Sequence, residues 1–215
     1  MVWQSLQGGH LVGDASDWVF TNNAIANLQG AAAAPLVFTN APSDATVRYL
    51  VFAVKTSSSL RMRETLISSR RLFRLDSAPA NELLNETAEF ETGGWCTVGS
   101  WKINNVSGAP LRAGEYQIIE VDLGENVKMK ELALLGDWGR REWKRGFGSG
   151  DFRLHEMIVF DNTPSEDVLT VVRRYLDKKW AMGLKMPSPS STMVRLSMAD
   201  GVHTANRFST LLLIR

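Results

Sequence analysis

The sequence predicts an all-β fold, a sandwich of two antiparallel sheets that carries one amphipathic helix and a C-terminal extension. Short runs rich in β-branched and aromatic residues recur along the chain, separated by clusters of Gly, Asn, Asp, Ser and Pro. A single stretch near the C-terminal end has helical periodicity. The chain of 215 residues lies within the length range of one sandwich domain. These three observations favour a sandwich over alternating strands and helices.

The strand predictions rest on alternating or continuous apolar character. Residues 47–55 suit a mostly buried strand, and 152–160 show the clearest strand pattern. The predicted strands are 47–55, 65–69, 71–75, 95–103, 116–123, 130–135 and 152–160. Their roughly even spacing is typical of sandwiches and barrels.

The predicted helix covers about residues 164–182. Thr163 is the predicted N-cap, Pro164 the first helical residue and Glu166 the acidic member of a capping box. Gly183 is expected to end the helix in a left-handed conformation. The stripe that would pack on the sheet consists of Val168, Val171, Val172, Tyr175, Leu176, Lys179 and Trp180.

A stretch rich in Pro and Ser follows the helix and is predicted to be a linker, because Pro resists both helix and central strand. We therefore expect one sandwich domain over residues 1–186 and a linker with a C-terminal extension over 187–215. The apolar end of the extension, residues 211–214, is expected to return to the sandwich, add to a partner, or both, since left in water it would invite edge pairing.

The composition excludes several classes of function. Lys and Arg number 24 against 23 Asp and Glu, so a net charge of +1 gives no overall field for nucleic acid or an anionic membrane. One cysteine and three histidines supply neither a disulfide framework nor a zinc cluster. The sequence shows no signal-peptide pattern and no apolar run of about 18 residues, so membrane insertion is not expected.

Three acidic residues on a predicted strand are the candidates for catalysis. Glu120, Asp122 and Glu125 form an E-x-D-x-x-E pattern. Glu120 and Asp122 would share one face of the strand. Residues 124–126 are predicted to be the turn that ends this strand and leaves Glu125 in solvent. We favour a solvated strand end over a catalytic group.

The loop at residues 136–150 is the candidate binding surface, because it combines aromatic and basic side chains between two predicted strands. Trp and Arg are enriched at interface hot spots. The candidate binding residues are Trp138, Arg140, Arg141, Trp143, Lys144 and Arg145. In the alternative interpretation, both tryptophans cover the end of the sandwich and the charges pair with Asp137 and Glu142.

Two other residues have simpler interpretations. His155 follows Leu154 and precedes Glu156 on a predicted strand, so it should lie on the side opposite Glu156 and form hydrogen bonds rather than catalyse. Cys96 is most simply a small buried hydrophobic residue.

Three motifs between Leu132 and Trp180 resemble the end of concanavalin A-like, laminin-G-type jelly-roll domains. They are Leu134-Leu135-Gly136, a Gly-Asp-x-x-x-x-Glu-x-x-x-Phe strand at 150–160, and Tyr-Leu-x-x-Lys-Trp at 175–180. The resemblance implies a jelly roll in which Tyr175 and Trp180 hold the helix on the sheet. It also implies that backbone donors hold Glu156.

The same superfamily includes laminarinase-like glycosidases whose E-x-D-x-x-E strand resembles residues 120–125. In them the two outer acids are nucleophile and acid/base, and a bulky apolar residue usually stands where this chain has Gly124. Some relatives use calcium. This chain lacks an Asp-rich calcium loop, so no metal or other cofactor is expected and calcium is kept as a weak alternative.

The superfamily that the chain resembles includes lectins, adhesion modules, polysaccharide-degrading enzymes and bacteriophage virion proteins. We expect a non-enzymatic binding or structural module, foremost a virion attachment, decoration or tail/fibre protein that is assembled in the host cytoplasm and works at the virion or extracellular surface. Its expected partners are other virion proteins or further copies in an oligomer, with a cell-surface glycan as another partner. A lectin-like domain and a glycoside hydrolase are the alternatives.

Overall fold

The computed structural model describes residues 2–4, 10–12, 18–21, 24–27, 35–39, 41, 43–57, 65–69, 74–78, 82–86, 99–136, 152–184 and 211–212. In these residues the chain forms fifteen β-strands, one α-helix and a short 3-10 helix at Met129–Glu131. The strands pair antiparallel in two sheets. The prediction of an all-β protein with two antiparallel sheets and one helix is confirmed.

The first sheet has seven strands in the order β1-β2-β5-β13-β7-β8-β9. These strands are β1 (Val2–Gln4), β2 (His10–Val12), β5 (Leu36–Thr39), β7 (Thr65–Ser69), β8 (Arg74–Ala78), β9 (Glu82–Glu86) and β13 (Leu132–Leu134).

The second sheet has the order β11-β10-β12-β6-β14-β4-β3, with β15 as an additional partner of β14. These strands are β3 (Trp18–Thr21), β4 (Ala24–Asn27), β6 (Thr46–Thr56), β10 (Ser100–Ile103), β11 (Val106–Ser107), β12 (Tyr116–Lys128), β14 (Phe152–Phe160) and β15 (Leu211–Leu212).

The central strand β6 is buried on both of its faces. Leu50, Phe52 and Val54 join the core between the two sheets. Val51 and Ala53 alternate with them and point to the opposite, outer face of the second sheet. The apolar run within the predicted strand 47–55 therefore has a physical reason, since residues 49–54 are buried on both faces of the sheet.

The helix α1 (Glu166–Trp180) covers this outer face. Its buried apolar side chains pack against those of β6, β12 and β14 in a second hydrophobic cluster. Burial of each Val or Leu side chain contributes about 1.5–3 kcal/mol relative to exposure. The helix is thereby a third layer outside the two sheets.

Both ends of the helix differ from the prediction. Ser165, not Thr163, is the N-cap, because its backbone is extended and its hydroxyl accepts a hydrogen bond from the Val168 amide at 3.4 Å. At the other end Ala181 takes the left-handed conformation predicted for Gly183. Gly183 also has a positive φ, of 67°, two residues later.

The strands predicted at 47–55, 65–69 and 152–160 are confirmed, and others differ in extent. The strand predicted at 71–75 is found at Arg74–Ala78, and of 95–103 the described part is a strand from Ser100 to Ile103. The strand predicted at 130–135 is only Leu132–Leu134, since residues 129–131 form the 3-10 helix.

The predicted turn at 124–126 does not end its strand. Strand β12 continues to Lys128, and its register against β6 shifts between Asp122 and Val127. Gly124 permits this irregularity because its φ is +79°, a conformation that favours glycine.

The C-terminal extension returns to the second sheet at β15. Leu211 and Leu212 pair antiparallel with Ile158 and Met157 of β14. The rest of the extension, and the linker predicted to precede it, lie outside the described residues. Within the described ranges, no helix combines the length and apolar character needed to cross a membrane.

The left-handed Ala181 predicts a stabilising substitution. Replacing Ala181 with Gly removes a steric cost of about 1 kcal/mol, partly offset by the greater freedom of glycine in the unfolded chain. We expect the free energy of unfolding in urea to rise by about 0.5 kcal/mol. The matched control is Gly183→Ala, which has open space around its Cβ but a positive φ and should lower stability. A loss of stability in Ala181→Gly would contradict the assignment.

Candidate functional site

A buried ion pair joins the helix to the second sheet. The Arg173 guanidinium donates from Nε to Glu120 Oε1 and from Nη2 to Glu120 Oε2, each at 2.8 Å. Both side chains are fully buried. Glu120 is on the outer face of β12, and Arg173 projects from the buried side of α1. Two parallel hydrogen bonds make this a bidentate pair, the strong geometry for Arg and a carboxylate.

Two further groups complete the cluster around this pair. Tyr49 of β6 donates its hydroxyl to Glu120 Oε2 at 2.9 Å, and Glu166 in the first turn of α1 accepts from Arg173 Nη1. Burial, then the charge and hydrogen bond of Glu120, raise the pKa of Tyr49 far above its ordinary value. Burial opposes the charge of Arg173, but hydrogen bonds to Glu120 and Glu166 outweigh it and raise the pKa of Arg173.

The three candidate acids are thus in different environments. Glu120 and Asp122 share a face, as predicted, but Glu120 is under the helix rather than at a solvated strand end. Asp122 forms a salt bridge to Arg48, with Nε and Oδ1 3.0 Å apart. Glu125 is exposed, as predicted, although on a continuing strand. The sequence indicated the face of Glu120 and gave no indication of what covers that face.

A second buried carboxylate, Glu156 of β14, holds the other end of the helix. Tyr175 donates its hydroxyl to Oε1 at 2.8 Å, and Trp180 donates its indole N–H to Oε2 at 3.0 Å. Lys179 Nζ is 2.7 Å from Oε2. The prediction that Tyr175 and Trp180 hold the helix is confirmed. The prediction of backbone donors is wrong, because the donors are side chains of the helix.

Contacts within this cluster shift the pKa values of Tyr175 and Lys179. Burial is the largest influence on Tyr175 and raises the pKa of its hydroxyl, and Glu156 adds to that rise. Burial alone would lower the pKa of Lys179, but its hydrogen bonds to Glu156 and Tyr175 outweigh burial and raise it. Lys179 therefore remains a cation and neutralises the buried carboxylate.

The predicted orientation of His155 is wrong. The register of β14 against β6 shifts between Leu154 and Glu156, so one extra residue, His155, is inserted. This β-bulge turns His155 to the same side as Glu156. Its ring lies 4.8 Å from the ring of Tyr116 and 4.8 Å from that of Trp180, measured between centroids.

Two lysines flank these three rings. Lys55 Nζ is 5.1 Å from the centroid of Tyr116, and Lys179 Nζ is 5.3 Å from that of Trp180. Both distances are within the range of cation–π attraction. The result is a continuous line of side chains past the C-terminal end of α1. Sequence reasoning missed this line because its members come from three strands and a helix.

The predicted binding residues of the loop lie outside the described residues, so their placement stays a prediction. This set comprises Trp138, Arg140, Arg141, Trp143, Lys144 and Arg145. Cys96 also lies outside. Among the residues that the structure describes, no three His, Cys, Asp or Glu side chains are grouped so as to hold a metal ion.

Comparisons of the chain with protein-family models, with curated proteins and with solved structures find no match. The chemistry of the described residues is therefore the basis for any functional conclusion. The two buried carboxylates, Glu120 and Glu156, bind side chains of the helix. The line formed by Lys55, Tyr116, His155, Trp180 and Lys179 reaches the surface instead.

The buried pair predicts a large effect of a nearly isosteric change. Glu120→Gln removes the charge that compensates Arg173, and breaking a buried ion pair from one side costs about 3–5 kcal/mol. We expect a loss of about 3 kcal/mol in the free energy of unfolding, measured with urea and circular dichroism. Glu125→Gln is the matched control on the same strand and should change stability by less than about 0.5 kcal/mol. Equal small effects would contradict the role of the pair.

The contact of Glu166 with Arg173 predicts a dependence on acid pH. The hydrogen bond from Arg173 holds the pKa of Glu166 below its ordinary value. Such a group stabilises the fold above its unfolded pKa, and this contribution is lost as pH falls through its folded pKa. Glu166→Gln should therefore flatten the decline of unfolding free energy between neutral pH and about pH 3. Glu125→Gln should leave the slope unchanged, and an unaltered slope in Glu166→Gln would exclude the linkage.

Proposed function

We propose that this chain is a non-enzymatic binding or structural module whose two sheets are a concanavalin A-like, laminin-G-type jelly roll. We propose further that it serves in a bacteriophage virion as an attachment, decoration or tail/fibre component. It is assembled in the host cytoplasm and acts at the virion or extracellular surface. Its partners are other virion proteins or further copies of itself, and no cofactor is required.

The observation that carries the non-enzymatic proposal is the engagement of Glu120. A retaining glycosidase needs two carboxyl groups about 5 Å apart on either side of the scissile bond. Here both oxygens of Glu120 accept hydrogen bonds from Arg173, and α1 covers them. A sugar could reach this carboxylate only if the helix left the sheet. This arrangement supports a structural role for the acid.

The pairing of β15 with β14 supports a role in assembly. The C-terminal extension adds a short antiparallel strand to β14 at Met157 and Ile158. Strand addition of this kind is a common way for one chain to bind another, because backbone hydrogen bonds supply affinity without a preformed pocket. The same edge can receive the extension of a second copy.

This proposal predicts an oligomer that depends on β15. We expect light scattering after size exclusion to give a mass of two or more copies for the full chain. The double substitution Leu211→Pro and Leu212→Pro removes backbone donors from β15 and should shift the mass toward one copy. The matched control, Leu211→Thr with Leu212→Thr, keeps strand propensity and should retain the oligomer. A single-copy mass for the full chain at every concentration would refute the assembly role.

A separate assay tests the non-enzymatic part. The full chain should release no reducing sugar from β-glucans above buffer. Release by the full chain that Glu120→Gln abolishes, while circular dichroism shows the variant folded, would establish the glycosidase alternative instead.

A further inference from the structure

A row of three side chains crosses the outer face of the second sheet, beyond the end of the helix. Arg153 of β14 is directly opposite Lys55 of β6, and Lys55 is opposite Tyr116 of β12. The core between the sheets holds Val54 and Leu154, so Lys55 and Arg153, which alternate with them, point outward. The row therefore lies on the surface side of three adjacent strands.

The pair Lys55 and Arg153 is unfavourable for folding. Like charges directly opposite each other on neighbouring strands destabilise a sheet. In the part of the chain that the structure describes, neither of them forms a salt bridge, whereas Arg48, Lys102 and Arg112 each have an acidic partner. An external anion placed between two facing cations would offset their repulsion.

Aromatic surface continues this row. Tyr116 carries Lys55 over its ring, and His155 and Trp180 follow at the centroid distances given above. We call Arg153, Lys55 and Tyr116, together with Trp180, the basic aromatic row. Tyr116 and Trp180 are only partly buried, so apolar surface is available beside the charges.

The acidic groups near this row are already engaged. Glu156 is buried and is neutralised by Lys179, and Glu115 pairs with Arg112. Asp177 accepts a hydrogen bond from the Leu184 amide at 2.8 Å at the end of the helix. Within the described ranges these contacts leave Lys55 and Arg153 without an acidic partner.

We propose that the basic aromatic row binds an acidic segment of a protein partner. Carboxylates of Asp or Glu would lie between Lys55 and Arg153, and the apolar part of the segment would contact Tyr116 and Trp180. Arg, Tyr and Trp are the residue types enriched at protein interfaces, so the composition of this row favours a protein partner. This inference goes beyond the virion proposal, because it defines a different surface from the edge of β14 and applies to a binding module from any source.

Fluorescence anisotropy with labelled peptides tests the site on the full chain. The probe is an extended peptide in which Glu and Tyr alternate with Gly and Ser, and its matched peptide has Gln in place of Glu. We expect saturable binding of the Glu peptide at moderate salt and loss of about tenfold in affinity for the Gln peptide.

Charge variants locate the binding. The double substitution Lys55→Gln with Arg153→Gln should lower the affinity for the Glu peptide by about tenfold. The control is Lys128→Gln with Lys130→Gln, which removes the same charge from two exposed positions, one at the far end of β12 and one in the 3-10 helix that follows. It should change the affinity by less than about twofold. The melting temperature of the first variant should not fall, because a repulsive pair has been removed. Equal weakening in both variants would overturn the site.

Charge reversal distinguishes a specific site from a folding defect. The double substitution Lys55→Glu with Arg153→Glu should abolish binding of the Glu peptide. It should raise the affinity for a peptide with Lys in place of Glu. Failure of this exchange in a variant with an unchanged melting temperature would overturn the proposal.

Competition identifies the class of partner. Trigalacturonic acid and oligothymidylate should displace the Glu peptide poorly at equal charge. Tighter binding of either compound would assign the row to an acidic saccharide or a nucleic acid and overturn the protein assignment. Absence of Glu-peptide binding would also overturn it. Each of these outcomes is independent of the oligomeric mass that tests the virion proposal.

Discussion

The arrangement of the outer layer depends on the ion pair between Glu120 and Arg173. Removing two charges from water is costly, and only a bidentate geometry with further partners compensates for it. Tyr49 and Glu166 supply those partners. A slide of the helix by one turn would leave both charges buried and unpaired. The pair therefore selects one position of the helix among several that would bury similar apolar area.

Glu156 fixes the same helix near its other end. Its partners Tyr175, Lys179 and Trp180 lie in the last turns, while Arg173 reaches Glu120 from an earlier turn. Two attachment points on different strands define both the position and the direction of the helix axis. Trp180 also contacts His155, so the same attachment places Trp180 in the basic aromatic row.

Sequence patterns predicted where the strands lie along the chain better than they predicted which strands pair with each other. Apolar runs located β6 and β14, yet no local pattern shows that β12 and β14 flank β6. Glu120 was interpreted as solvated because strand alternation indicates the face of a side chain and not what covers that face. Arg173 lies outside the apolar stripe predicted for the helix, so that stripe did not indicate the pair. Ser165 and Thr163 are both good caps, so composition could not choose between them. Trp18 lies in none of the predicted strands, yet it is buried in the core with 1% of its surface exposed.

Strand β6 has a consequence for synthesis. Both of its partners in the sheet, β12 and β14, come much later in the chain, so β6 leaves the ribosome long before either exists. During that interval a strand of eleven residues with a largely apolar centre has neither of its sheet partners. Such non-local pairing slows folding and exposes the nascent chain to aggregation. Efficient production of this protein should therefore depend on chaperone capacity during translation more than on the stability of the finished fold.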